Sequence, residues 1–290
     1  MTIQSPPAWI VDRLNQAAHT VGTGEPDAVV PDSNAPPRIR VMHFRDLLDA
    51  LALGWRDFAA NRTDIIFLCA LYPALGLVLG RAASGYGLLP LLFPLAAGFA
   101  LVGPLAAVGI NELSRRRERG EVVHWSGVFG VVRSPSIGAI AVMAALLVGI
   151  FVVWIAVANL IYALTLGPAL PESVAGFVRE VFTTRPGWAL IGVGGAVGFA
   201  FAAVVLTISV VTFPMLLDRR VSVSTAMLTS VRVVARNPAV MAGWGLIVAA
   251  GLILGSLPFF LGLVVVLPVL GHATWHLYRK AVRWPRSEAG

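Results

Sequence analysis

The stretch from Ile137 to Thr165 reads IGAIAVMAALLVGIFVVWIAVANLIYALT and contains no charged side chain. An α-helix rises 1.5 Å per residue, so about 20 apolar residues cross the roughly 30 Å hydrocarbon core of a bilayer. This stretch is longer than that minimum. It therefore predicts a transmembrane helix and sets the class of fold to look for in the rest of the chain.

The composition of the whole chain supports a membrane environment. Hydrophobic residues make up 57% and charged residues 13% of the sequence, and the mean hydropathy is +0.81. Soluble proteins carry about 25% charged residues. So few charges cannot cover a soluble protein of 290 residues, which excludes a soluble enzyme. The single cysteine, Cys69, excludes a disulfide-stabilised secreted fold.

Five further apolar stretches predict an all-α, polytopic membrane protein. The first 38 residues are polar and proline-rich, and they contain no apolar core of a signal peptide. We expect a disordered cytoplasmic tail at 1–38, a membrane domain at 39–282 and a cytoplasmic tail at 283–290. The six predicted spans cover residues 65–80, 88–110, 137–165, 188–217, 239–257 and 258–277.

The arginines predict how the chain is threaded through the membrane. Basic residues are enriched on the cytoplasmic side of membrane proteins. Of the 22 basic residues here, all but Arg81, Arg179 and Arg185 fall in the terminal segments or in the loops after the second and fourth spans. Both termini are therefore expected on the cytoplasmic side of a bacterial inner membrane. The net charge of +7 then reflects topology and contacts with anionic lipid, and does not indicate nucleic acid.

Each odd-numbered span is preceded by a short amphipathic stretch, which predicts three repeats of an interfacial helix followed by two spans. The three stretches begin near Phe44, Trp125 and Val223. A proline also recurs near the cytoplasmic end of each returning span, at Pro104, Pro214 and Pro268. Chance similarity among apolar sequences is the alternative.

The most distinctive polar motif is His272-Ala-Thr-Trp-His276, at the predicted cytoplasmic end of the sixth span. A spacing of four residues places both imidazoles on one helical face, as ligands of a transition metal or of a haem completed by other helices would be. Glu112 follows Pro104 of the second span by eight residues, as His276 follows Pro268 of the sixth. It is the third candidate ligand, with His124 and Asp218 as further options. The alternative is a polar belt that anchors the helix at the membrane surface.

Two polar residues inside the spans are candidates for a substrate path. Asn159 lies well inside the third span, and Thr207 lies in the fourth. A buried amide also hydrogen-bonds between helices, so helix packing is the alternative. The spans contain no Lys, Arg, Asp or Glu in their interiors, which argues against a proton-coupled transporter.

Three stretches resemble a bacterial family of predicted integral membrane proteins. They are residues 91–121 (LLFPLAAGFALVGPLAAVGINELSRRRERGE), 213–219 (FPMLLDR) and 270–280 (LGHATWHLYRK). The resemblance extends over about residues 38–282. The family is a domain of unknown function, and some members carry the label of a cytochrome c oxidase. A catalytic oxidase subunit needs histidines on several helices, so the resemblance implies an accessory or assembly subunit for this chain.

Two functions from different classes follow from the sequence. The first is a non-enzymatic membrane component that acts through partners, either another membrane protein or a second copy of the chain, with a respiratory complex as one setting. The alternative is a permease or lipid-handling protein for an uncharged or amphipathic substrate. An enzyme or metal site at His272 and His276 is a third, weaker hypothesis.

Overall fold

A computed structural model of the chain describes residues 37–60, 94, 103–104, 107–121, 130–132, 134–169, 171, 173–257 and 261–284. The predicted span at 65–80, most of the span at 88–110, most of the second interfacial stretch and His124 lie outside these residues. So do most of the two predicted tails. The helices are α1 (Phe44–Ala60), α2 (Val108–Glu118), α3 (Ile137–Thr165), α4 (Val174–Thr183), α5 (Arg185–Ser209), α6 (Thr212–Asp218), α7 (Val223–Arg236), α8 (Pro238–Ser256) and α9 (Leu263–Ala281).

The predicted all-α class is confirmed. The described strands are β1 (Arg38–Ile39) and β2 (Val282–Arg283), which pair antiparallel and bring the segment before α1 to the end of α9. Several helices begin at a side-chain cap, as their sequences favour. The hydroxyl of Ser173 accepts from Gly176 N at the start of α4, and that of Thr184 accepts from Gly187 N at the start of α5.

Three helical segments are long and apolar enough to cross a membrane: Ile137–Thr165, Arg185–Asp218 and Pro238–Ser256. They correspond to the third, fourth and fifth predicted spans. Helix α9, which covers most of the sixth, is not among them. These three segments are those found within the described part of the chain. The total of six spans and the threefold repeat therefore stay predictions.

Helices α3 and α5 pack through an aromatic–glycine contact. A Cβ on Gly198 would lie 3.0 Å from the Trp154 ring, so the absence of a side chain at this position lets the two helices approach closely. The indole Nε1 of Trp154 donates to the carbonyl of Pro94 at 2.9 Å. This bond satisfies an indole that would otherwise be unpaired inside an apolar layer.

Helix α1 lies lengthwise and antiparallel beside α9. Near one end of this contact Lys280 pairs with Asp49 at 3.0 Å. Further along, a Cβ on Gly54 would lie 2.7 Å from the backbone nitrogen of Ala273 and 2.7 Å from the carbonyl of Val269. Only glycine allows the two backbones to come this close. One face of the predicted interfacial helix is therefore covered by α9.

Candidate functional site

Helix α9 contributes both histidines of the predicted motif to a hydrogen-bonded cluster with α1 and α2. His276 Nε2 lies 2.8 Å from Asp57 Oδ2, and the Ser114 hydroxyl donates to the same oxygen at 2.8 Å. Ser114 Oγ also lies 2.6 Å from His272 Nδ1. Arg117 Nε lies 3.3 Å from Asp57 Oδ1. One buried carboxylate thus connects three helices.

The hydrogen bonds of Ser114 set the protonation of His272. Because the hydroxyl hydrogen goes to Asp57, the Ser114 oxygen accepts from His272, so Nδ1 of His272 carries the hydrogen and Nε2 is a bare acceptor. His272 is only 1% exposed. Its Nε2 has no hydrogen-bond partner within the part of the chain that the structure describes. The lone pair of this nitrogen is therefore available to a donor or a metal ion.

The Asp57 carboxyl is held in its ionised form. Burial opposes ionisation, but hydrogen bonds from His276 and Ser114 and the nearby imidazoles outweigh it, so the pKa lies below the ordinary value of 3.8. At neutral pH Asp57 is therefore an acceptor for every partner that contacts it. The cluster is best described as a carboxylate held by three donors.

Glu112 does not join the histidines. Its carboxylate accepts from Arg115 Nε at 2.6 Å and Nη2 at 2.8 Å, and from Arg116 Nε at 2.8 Å. Both arginines lie on the same helix, at i+3 and i+4, where side chains meet. Burial opposes ionisation of this carboxyl, yet the two guanidiniums outweigh burial and hold its pKa below the ordinary 4.5.

The predicted metal ligands are consequently not gathered at one point. Glu112 is occupied by arginines, His276 binds Asp57, and Asp218 binds α9 residues described below. Among the described residues, no group of three or more His, Cys, Asp or Glu side chains is placed to hold a metal ion. A haem or metal at His272 stays a prediction, for which the free Nε2 is the relevant atom.

The later turns of α9 bind acidic residues of α2 and α6. Trp275 Nε1 donates to Glu118 at 2.8 Å, and the hydroxyl of Tyr278 donates to Asp218 at 2.7 Å. Arg279 lies 2.8 Å from Glu118 and 3.4 Å from Asp218. Trp275 and Tyr278 are buried between helices. Their hydrogen bonds to Glu118 and Asp218 hold both rings between the helices.

The segment before α1 is fastened to the same region. The Asn237 side-chain oxygen accepts from Met42 N at 2.7 Å, and its Nδ2 donates to Arg40 O at 3.2 Å. Arg40 N donates to Ala281 O at 2.9 Å. We call the C-terminal half of α9 and its acidic partners the α9 hub. The partners are Asp46, Asp49 and Asp57 of α1, Glu118 of α2 and Asp218 of α6.

The two candidates for a substrate path lie apart. Gly198 and Trp154 touch, and Thr207 lies nine residues beyond this contact in one direction while Asn159 lies five residues beyond it in the other. At 1.5 Å per residue they are separated by about 20 Å along the helix axes. Thr207 donates to Ala203 O of its own helix, and Asn159 lies on an exposed face of α3.

Replacing Glu112 by glutamine should lower the free energy of unfolding by about 2 kcal/mol at pH 7, since two guanidiniums lose their charged acceptor. The folded pKa is below 4.5. The contribution is therefore complete above that value and is lost as the pH falls through the folded pKa. The gap between wild type and variant should narrow from pH 7 to pH 3 in denaturant titrations. A constant gap would contradict this account, and Glu121→Gln, on an exposed residue, is the control.

The three long apolar segments, whose side chains lie mostly on the outside of the bundle, define an integral membrane protein built of transmembrane helices. Residues 92–218 match a family model described as "Predicted integral membrane protein (DUF2189)", which confirms the resemblance over this part of the chain. The matched part contains Ser114, Glu118 and Asp218 of the cluster and the hub, whereas Asp57 and both histidines fall outside it. No curated protein and no solved structure matches the chain.

Proposed function

We propose that the protein is a non-enzymatic component of the bacterial inner membrane and acts through an acidic partner protein at the end that carries the α9 hub. In this proposal that end faces the cytoplasm and both termini lie there. The observation that carries the proposal is a separation of charge. Five acidic side chains of this end bind inward to α9, while most of the exposed arginines have no such partner in the part of the chain that the structure describes.

Most of the outward arginines lack an ion pair within the described residues. Two of them lie in β1 and β2 and two come just after α2 and α6, and we call these four the terminal arginines. Four others lie on α1 and α7, and we call them the edge arginines. The terminal set is Arg38, Arg119, Arg220 and Arg283, and the edge set is Arg45, Arg56, Arg232 and Arg236, all of them exposed.

The terminal arginines are the ones suited to a protein partner. Arg119 and Arg220 follow α2 and α6, which the hub holds in place because Glu118 and Asp218 both bind Arg279. Arg38 and Arg283 lie opposite each other in the backbone pairing of β1 with β2. A backbone that is already held in place has less conformational entropy to lose when its arginines bind carboxylates, and the planar guanidinium suits a carboxylate. The excess of arginine at this end also supports the cytoplasmic orientation.

The alternative, a permease for an uncharged substrate, has less support. A path would need Asn159 and Thr207 to line one channel, and their separation of about 20 Å along the helices does not favour it. The family resemblance implied an accessory or assembly role, which makes a respiratory complex the first setting in which to look for the partner.

The orientation can be tested with single cysteines in a Cys69→Ser background. Arg119→Cys and Arg220→Cys should react with a membrane-impermeant maleimide only in inverted vesicles or after permeabilisation. Labelling of either residue in intact, right-side-out cells would refute the cytoplasmic orientation.

The partner can be tested by cross-linking in native membranes followed by mass spectrometry. Neutralising the terminal arginines (R38Q/R119Q/R220Q/R283Q) should abolish most cross-links to other proteins. The edge variant (R45Q/R56Q/R232Q/R236Q) removes the same charge and should retain them. An unchanged cross-link pattern in the terminal variant, or no cross-linked protein in wild type, would overturn the proposal.

A further inference from the structure

We infer that the outer faces of α1 and α7 form a binding surface for anionic phospholipid headgroups. The inference rests on the proposed cytoplasmic orientation, but it does not depend on a protein partner, because it involves the edge arginines and not the terminal ones. The evidence is the order in which buried, apolar and basic residues follow one another around each helix.

On α1 an apolar edge separates the buried face from the arginines. Successive residues turn by about 100° around a helix. Starting from the face that packs on α9, one meets first the apolar edge and then the arginine edge. Leu48 is 64% exposed and Trp55 is 53% exposed. The apolar edge consists of Phe44, Leu48 and Trp55, and the arginine edge of Arg45 and Arg56.

Helix α7 repeats this order in the same rotational sense. Its buried face includes Ala226 and Val233. Next comes an apolar edge with Leu228 and Val231, of which Leu228 is 55% exposed, and then the exposed Arg232 and Arg236 follow. Two helices far apart in the chain therefore present the same sequence of surfaces. This is the arrangement that the predicted interfacial helices would need.

The arginines limit how deep α1 can lie. Arg45 and Arg56 are eleven residues apart, which is about 16 Å along a helix. A guanidinium is costly in the hydrocarbon, so in this inference both arginines lie at the level of the headgroups or above them.

The juxtaposition of the two edges favours a lipid surface over an acidic protein. At the boundary of a bilayer, phosphate groups lie directly above acyl chains, and an apolar edge beside an arginine edge matches both layers. An acidic protein would complement the arginines alone and would leave Trp55 and Leu48 in water. Anionic headgroups are also the lipid class that attracts juxtamembrane arginine.

The test uses the full chain in nanodiscs of phosphatidylcholine and phosphatidylglycerol, with native mass spectrometry of the lipids that stay bound. Wild type should retain phosphatidylglycerol in preference to phosphatidylcholine. In the edge variant R45Q/R56Q/R232Q/R236Q the ratio of bound phosphatidylglycerol to phosphatidylcholine should fall at least fivefold. The terminal variant R38Q/R119Q/R220Q/R283Q loses the same charge and should keep it.

Three outcomes would overturn the inference. The first is an equal loss of lipid preference in both variants, which would indicate a net-charge effect. The second is no loss of lipid preference in the edge variant. The third is an edge variant that keeps its lipid preference but loses a cross-linked protein. If the edge variant does not fold, the charge-conserving R45K/R56K/R232K/R236K should fold and keep the preference, and loss of the preference there would also overturn it. The partner proposal is decided separately, by the terminal variant.

Discussion

Replacing Gly54 by leucine is expected to lower the free energy of unfolding by about 3 kcal/mol, the upper end of typical overpacking costs. A Cβ at this position would lie 2.7 Å from two backbone atoms of α9 and 2.8 Å from the Cβ of Ala273. Backbone atoms cannot move aside as the tip of a flexible side chain can. The leucine must therefore push α1 away from α9, and the contacts on both sides of Gly54 are lost with it.

A matched control is available on the outside of the bundle. A Cβ on Gly149 of α3 meets nothing within 4 Å, so Gly149→Leu should change the free energy of unfolding by no more than about 0.5 kcal/mol. Denaturant titration of both variants in the same detergent measures the difference. Similar losses at the two positions would show that α1 does not pack against α9 as described.

Replacing Asp57 by asparagine is expected to cost about 3 kcal/mol. Removing one member of a buried charge cluster leaves its partners without compensation. Here His276 and Arg117 lose a charged acceptor, and Ser114 loses the acceptor of its hydroxyl hydrogen. The asparagine amide also brings hydrogens of its own towards donors, so relaxation recovers little.

The control for Asp57 is Asp49, on the same helix. Its side chain is 63% exposed and pairs with Lys280 at 3.0 Å. Exposed pairs contribute about 0–1 kcal/mol, so Asp49→Asn should be nearly silent. A loss at Asp57 no larger than the loss at Asp49, measured by denaturant titration at pH 7, would argue that the cluster does not stabilise the fold.

The sequence predicts the long spans well because their signal is local. Apolarity sustained over the length of a bilayer depends on no distant residue, and three such segments are present where they were expected. Helix α9 differs because its second half mixes apolar and polar residues. Whether such a stretch crosses a membrane depends on its neighbours, and here three other helices supply acids to it.

The candidate site was only half predictable. The spacing of His272 and His276 correctly placed both on one helix face, where both approach Asp57. Asp57 itself was missed because it lies 219 residues away from His276 in the chain, and no local pattern links the two. Glu112 was assigned to the histidines although Arg115 and Arg116, one turn further along, could have been recognised from spacing alone.

The amphipathic pattern of α1 was detected, but it contains two apolar surfaces. Leu47 and Phe58 are buried, whereas Phe44 and Trp55 on the adjoining edge are exposed. A sequence pattern records that residues are apolar and cannot tell which of them meet protein and which meet lipid. Only the position of α9 divides the stripe into these two parts.

The α9 hub joins α1 to α9 through Asp57 and His276. A double-mutant cycle of Asp57→Asn and His276→Gln, with unfolding measured for wild type, both single variants and the double variant, isolates the energy of this pair. We expect a coupling of more than about 1 kcal/mol, because the two groups form a largely buried, charge-assisted hydrogen bond. Additive effects of the two substitutions, with no coupling outside error, would contradict it.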